Sequence, residues 1–239
     1  VKPYGQIDSL GIDTWGVDFG LVDAHGRLLE NPVHYRDTRT RGMMDSVFAI
    51  VPKEEVYRRT GTQFMSINTL FQLYSLKVDR PDLLERADKM LFMPDLFLYL
   101  LTGRQQAEFT IASTSQMINP NTGDWDVDLM QQLGLPVSLL CPIVAPGTMA
   151  GPLAPGICEE LGIDPIPTVS VTSHDTASAV VAVPAANDDF IYISSGTWSL
   201  MGIESPVPLI TDLTFDCNFT NEGGFGQTTR FLKDRKSVV

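Results

Sequence analysis

Two periods of apolar residues run through the chain. Residues 7–12, Ile-Asp-Ser-Leu-Gly-Ile, predict a short buried strand whose glycine lets another backbone come close. Residues 15–23 and 27–29 are extended runs on either side of Ala24-His25-Gly26, the pattern of a hairpin, and Asn31-Pro32 bends or ends it. Helical spacing takes over at 40–51. Pro52 stops that run, and a second amphipathic helix begins at Lys53-Glu54-Glu55 and closes near Gly61. Asn68 stands where an N-cap belongs, and Leu70, Leu73, Tyr74 and Lys77 lie three or four apart, which predicts a helix over 68–78 with an apolar stripe. Pro81-Asp82 restarts the next helix.

Strands and helices then alternate. Residues 89–93 predict a strand, 95–101 a helix closed by Thr102-Gly103, and 110–116 and 128–133 short helices separated by the turn chemistry of 119–124. Residues 136–155 hold five prolines and predict a surface-running segment with a short strand at best. One helical turn follows at 159–162. The β-branched strand 168–172 runs into Ser173-His174-Asp175 and then a small-residue helix over 176–183. Residues 184–189 read as a linker and place a domain boundary there. Beyond it come strands at 190–194 and 198–203 about a Ser195-Gly196 turn, a strand at 214–220, a glycine-rich turn at 221–226 and a helix opening at Thr228. The alternation predicts an α/β protein.

Charge and composition remove several function classes. With 17 Lys+Arg against 29 Asp+Glu the formal net charge is −12, which argues against a nucleic-acid backbone as partner. No apolar run is long enough to span a bilayer. Cys141, Cys158 and Cys217 are odd in number and widely spaced, fitting neither a disulfide framework nor a closed metal site, so a reducing cytoplasm is the simplest setting. Val1-Lys2-Pro3-Tyr4-Gly5 offers no secretory signal and reads as a cut end. P-loop, GxGxxG and HExxH patterns are missing, and three histidines make a His-based metal site improbable.

Ser173-His174-Asp175 is the sharpest candidate site, because open α/β sheets bind ligands at the carboxyl ends of their strands. The plain alternative is that Asp175 only caps the following helix. Adjacent residues point apart, so this is no hydrolase triad. Asp13, Asp18, Asp23 and Asp37 could line a pocket or meet a hard cation, or could simply face water in turns. Tyr35-Arg36-Asp37-Thr38-Arg39 offers either an arginine fork for an anion or sugar, or a surface ion-pair cluster. Ser194-Ser195-Gly196-Thr197 is a small-residue turn suited to bringing backbone N–H groups to a phosphate, and Asn221-Glu-Gly-Gly could do the same or be a loop.

Taken together the segments resemble the FGGY carbohydrate kinases. The resemblance is carried by Ile7-Asp-Ser-Leu-Gly-Ile-Asp-Thr-Trp-Gly-Val-Asp-Phe19, Pro32-Val-His-Tyr-Arg-Asp-Thr-Arg39, Asn68-Thr-Leu-Phe-Gln-Leu73, Met93-Pro-Asp95, Leu101-Thr-Gly103, Glu108-Phe-Thr-Ile-Ala-Ser113, Gly123-Asp-Trp125, Ser173-His-Asp-Thr-Ala-Ser178 and Ser194-Ser-Gly-Thr-Trp-Ser-Leu-Met-Gly202. It implies a ribonuclease H-like (actin-like ATPase) sugar-kinase fold, with residues 1–184 in the sugar-binding domain, 185–189 as linker and 190–239 opening the ATP-binding domain. It also implies L-rhamnulose as substrate, phosphorylated at its 1-hydroxyl with ATP and Mg²⁺, and Asp175 as the base that accepts the hydroxyl proton. Gly16, His174 and Thr176 match sugar-contact positions, and Thr197 matches a position near the ATP phosphates.

Departures from the family pattern sharpen these expectations. The opening phosphate-binding hairpin and the adenine-binding half have no counterpart here, and Asp234 stands where the family has a sugar-contacting Asn. The chain therefore reads as an internal segment, incomplete at both ends, of low activity alone and prone to self-association through uncovered strand edges. A kinase for a related deoxy-ketose and a sugar-binding module without catalysis remain the alternatives.

Overall fold

The computed structural model describes residues 5, 7–187, 189–196 and 198–235. In chain order the elements are β1 (Leu10–Gly11), β2 (Phe19–Val22), α1 (Met43–Phe48), α2 (Lys53–Thr60), α3 (Thr69–Asp79), α4 (Pro81–Arg86), β3 (Lys89–Phe92), α5 (Met93–Thr102), β4 (Ala107–Glu108), α6 (Phe109–Ala112), β5 (Ile118–Asn119), β6 (Asp124–Trp125) and α7 (Val127–Gln132). There follow β7 (Ile143–Val144), β8 (Thr148–Pro152), α8 (Pro155–Leu161), β9 (Pro167–Ser170), α9 (Asp175–Val181), β10 (Ile191–Ser195), β11 (Ser199–Ser205), α10 (Asp212–Asp216), β12 (Thr220–Gly223) and β13 (Thr229–Arg235).

The main core gathers around α3. Leu70, Phe71, Leu73, Leu91, Ile111, Leu129 and Met130 are buried there, and α3 is enclosed on nearly every side rather than along one stripe. Its polar members are bonded where they are buried, as they must be: Ser75 donates to the Gln72 carbonyl and Gln72 to Ile67. Asn68 sits at the start of α3, but its side chain donates to Gln63 O and Gln116 Oε1 instead of capping the helix. Gly61 and Gly103 end α2 and α5 in left-handed conformations as expected, and Gly162 does so after α8, which starts at Pro155, ahead of the single turn expected at 159–162; the helix expected over 40–51 shortens to α1 and that over 110–116 to α6.

The strand at 7–12 shortens to β1, which among the described residues pairs only with β9, in parallel, while β8 joins β9 antiparallel across a bulge between Met149 and Gly151. At Gly11 a Cβ would stand 2.5 Å from the Val171 side chain, whereas the nearest backbone atom, Val169 O, would be 3.4 Å away, so it is a side chain and not a backbone that packs closely on this glycine. β2 pairs with β3, and its hairpin with residues 27–29 is held by the Asp23–Arg27 turn and a Val22–Leu28 bridge.

Residues beyond 190 form an antiparallel sheet ordered β10-β11-β13-β12, with Tyr192 and Leu232 packed on Val180 of α9. Three sequence expectations are corrected here. Residues 214–220 are not a strand: Thr211 and Thr214 form a reciprocal capping box that starts α10. The helix expected at Thr228 is β13, and part of the glycine-rich turn is β12, because Thr220–Gly223 finds a full ladder on β13. Gly223 is where the sheet meets the main body; a Cβ there would lie 2.6 Å from Phe109. Hydrogen bonds from Tyr57 Oη to Phe219 O, from Asn221 N to Gly61 O and from Gly223 N to Ser113 Oγ fix β12 against that body.

Candidate active site

The carboxyl end of β9 is anchored by a buried acid. Glu108, fully enclosed, accepts hydrogen bonds from Thr110 N and Oγ1, Ile111 N, and Ser173 N and Oγ. Thr110 Oγ1 in turn accepts from His174 N. Asp95 accepts from the Glu108 amide, and burial together with the Glu108 charge pushes its carboxyl well above the usual range. Thr14 N donates to Ser173 O and Asp175 N to Thr14 O, which brings the tip after β1 alongside the tip after β9.

Between those two tips the chain makes a strained turn. Val17 has φ +68°, a left-handed conformation that β-branched residues avoid, and Asp18 N donates to Gly16 O across it, making a positive-φ γ-turn. Buried partners hold it: Val17 N donates to Thr114 Oγ1, and Val17 O accepts from Thr69 Oγ1 and Gln72 Nε2. Such strain persists only where the surroundings over-determine it, and it gathers at functional sites. A Cβ on Gly16 would stand 3.1 Å from Thr114 Oγ1 and 3.3 Å from His174 Nε2.

A cavity of about 420 Å³ is lined by Gly16, Val17, His174, Asp175 and Thr176 together with Ser194, Gly196, Trp198, Leu200 and Asp234. Tyr35 and Trp15 close the side, Trp198 Nε1 donating to Tyr35 Oη. Asp175 is the first residue of α9, with His174 in the capping position. Its side chain remains 55% exposed toward the cavity, and its Oδ1 accepts from Thr176 N at 2.6 Å, so satisfying the helix start and facing the cavity are compatible. Thr197 lies outside the described residues. The Gly196 N–H is taken by Trp198 O within the β10–β11 hairpin, so that amide is not offered to a phosphate.

The back of the site holds two residues that sequence reasoning missed. Glu222 on β12 and Arg230 on β13 pair at 2.9 Å, and both reach His174 Nδ1, Arg230 Nη2 at 3.0 Å and Glu222 Oε2 at 3.4 Å. Arg230 is completely buried and also donates through Nε to Gly223 O. Burial raises the Glu222 pKa, but the Arg230 charge beside it outweighs that cost and holds the carboxyl down at about 2. Their alternation on paired strands was the available signal, hidden by reading one segment as a turn and the other as a helix.

The acidic set disperses. Asp18 is buried and accepts from Trp15 Nε1, Tyr35 N and Gln72 Nε2. Asp23 closes its turn with Arg27, whose hydrogen bonds lower its pKa to about 2, and Asp37 caps a short 3₁₀ turn. Asp13 is exposed. Among the described residues no three His, Cys, Asp or Glu side chains converge as metal ligands. Arg36 stacks over Tyr35 and Arg39 donates to Gln72, so no fork points into the cavity. No helix of the described residues is long and apolar enough to cross a membrane.

The architecture is that of the ribonuclease H-like, actin-like sugar kinases: a ligand-bound xylulose kinase from Lactobacillus acidophilus superposes with a TM-score of 0.84 at 20% identity, over 95% of this chain and 46% of that one. Residues 3–182 match the N-terminal domain of the FGGY family of carbohydrate kinases, and the chain belongs to that family. It is 48% identical over 226 residues to a rhamnulokinase of Oceanobacillus iheyensis and 47% identical over 229 residues to one of Bacteroides thetaiotaomicron, covering 95% and 96% of this chain. The chain spans about half the length of these curated relatives, 48% and 47%.

Proposed function

We propose that the cavity is the sugar site of an ATP-dependent kinase that phosphorylates L-rhamnulose on its 1-hydroxyl. The observation that carries this reading is the half-exposed Asp175 carboxylate in a cavity that Gly16, His174 and Thr176 also line, in a chain 48% identical to a rhamnulokinase over 95% of its length. Asp175 takes the proton of the 1-hydroxyl as that oxygen bonds to the γ-phosphorus of ATP, the bond from that phosphorus to the bridging oxygen breaks, and ADP leaves. Mg²⁺ arrives with the nucleotide as part of the substrate and offsets its charge.

In this reading Gly16, His174 and Thr176 contact the sugar, and the family resemblance assigns Thr197 to the ATP phosphates. Residues 1–184 form the sugar-binding part, 185–189 the linker and 190–239 belong to the ATP-binding part. A cytoplasmic location goes with it, supported by three cysteines that are all unpaired.

The test places residues 1–239 in the matching segment of the Oceanobacillus iheyensis relative and follows ADP release with ATP, Mg²⁺ and L-rhamnulose. Rhamnulose-dependent turnover that falls by about 10²–10⁴ in Asp175→Asn is expected for loss of a general base. Turnover unaltered by Asp175→Asn, or a folded chimera that ignores L-rhamnulose, would overturn the reading.

A further inference from the structure

We propose that Arg230 and Glu222 are positioning residues that lock His174 in the neutral tautomer carrying its proton on Nε2, so that the ring offers a hydrogen-bond donor to an oxygen of the ligand in the cavity. The argument begins with the chemistry of the partner. A guanidinium has donors and no acceptor. Arg230 Nη2 stands 3.0 Å from His174 Nδ1, so Nδ1 receives that hydrogen and carries none. In a neutral imidazole the proton is then on Nε2.

The competing arrangement, Nδ1–H donating to Glu222 Oε2, has the longer separation of 3.4 Å and would set two hydrogens against each other in the 3.0 Å gap to Arg230. Glu222 serves a different purpose: its carboxylate, 2.9 Å from the same Nη2, balances a guanidinium that is completely buried and keeps it pointed at the ring. The free face of the ring is the cavity face. Nε2 lies 3.5 Å from Asp175 Oδ1 and is one of the atoms a Cβ on Gly16 would touch. The ring is seated by the Arg230 contact at Nδ1, and the main chain beneath it is fixed by His174 N donating to Thr110 Oγ1, which Glu108 holds. Nothing in the sequence around Ser173-His174-Asp175 encodes this arrangement; it comes from β12 and β13, about 50 residues downstream.

That the donor serves a sugar oxygen rests on the function proposed above; the tautomer itself does not, and the experiment separates them. In the chain with ¹⁵N-labelled histidine, long-range ¹H–¹⁵N spectra at neutral pH distinguish protonated from unprotonated ring nitrogens, and His174→Gln identifies its signals against those of His25 and His34. An unprotonated Nδ1 and a protonated Nε2 are expected. A protonated Nδ1, or averaged nitrogens, would overturn the inference; His25→Gln and His34→Gln, both at exposed positions, assign the His174 signals by elimination should His174→Gln not fold. Replacing both partners, Arg230→Met with Glu222→Leu, avoids leaving a lone buried charge and is expected to release the ring into a tautomer mixture. An unchanged spectrum there would remove the positioning role. Calorimetric titration of the same pair with L-rhamnulose is expected to show about 3- to 10-fold weaker binding in the double variant, the loss of one neutral hydrogen bond. Failure of the wild type to bind sugar while the tautomer holds would count against the proposed function and leave the lock standing.

Discussion

Glu222→Gln removes one charge of a pair that cannot reach water. Arg230 is completely buried and its Nη1 has no acceptor, and the change removes the carboxylate charge 2.9 Å from its guanidinium. The fall of the Glu222 pKa from 4.5 to about 2 measures the preference of the folded chain for the ionised form. At about 1.4 kcal/mol for each pH unit this is worth roughly 3 kcal/mol, at the low end of the 3–5 kcal/mol that breaking a buried pair costs. Urea unfolding followed by tryptophan fluorescence reads the loss directly. With a slope of about 1–3 kcal/mol per molar, the midpoint at pH 7 is expected to drop by about 1 M or more. The sign with pH is fixed by linkage: a depressed carboxyl pKa gives stability that is complete above 4.5 and is lost as pH falls toward about 2. By pH 3 the gap between wild type and variant should therefore shrink to less than about half. Adding Arg230→Met and placing Leu at 222 is expected to bring the midpoint back near wild type, since two apolar residues owe nothing to desolvation. Equal midpoints at pH 7, or a gap that persists unchanged at pH 3, would refute the reasoning.

Val17→Gly relieves a strained φ worth about 1–3 kcal/mol but gives up chain entropy of about 0.5–1 kcal/mol and a buried side chain worth about 1.5–3 kcal/mol. The expected melting temperature is therefore within about 4 °C of wild type, and a loss like that of an ordinary buried valine would show that the turn stores no strain. Asp95 has a raised pKa, so its contribution is complete below 3.8 and declines as pH rises through the folded value. Asp95→Asn should gain on wild type steadily as melting is measured from pH 4 upward, and parallel curves would contradict this. Ile191, Ile193 and Met201 lie exposed on one face of β10–β11, and a second copy of the chain is the expected cover. Sedimentation velocity should find species larger than a monomer, reduced by Ile193→Lys, whereas a monodisperse monomer would remove that expectation.

Much of this site was legible because the signals were local. Gly61, Gly103 and Gly162 announced helix ends, the β-branched run before Ser173 announced a strand, and His174, Asp175, Thr176 and Gly16 do line one cavity. What escaped was set by distant partners. Residues 220–235 carry glycines and short polar runs that read as turn and helix, yet a ladder between β12 and β13 overrides those preferences. Glu222 and Arg230 become meaningful only once that ladder turns both toward His174. The positive φ at Val17 was equally invisible, since its cause lies in Thr69, Gln72 and Thr114. The four early aspartates separate: Asp23 and Asp37 close local turns, Asp13 is exposed, and Asp18 is buried against Trp15, Tyr35 and the distant Gln72.

The most direct test of the central claim is calorimetric titration of this chain with L-rhamnulose, beside Gly16→Val. A Cβ at residue 16 already meets Thr114 and His174, and the two further methyls of valine have only the cavity left to occupy. Saturable one-site binding by the wild type, weakened at least about tenfold in the variant, is the expected result, a difference of about 1.4 kcal/mol. Absence of binding by the wild type, or equal binding by Gly16→Val, would contradict the assignment of this cavity to the sugar.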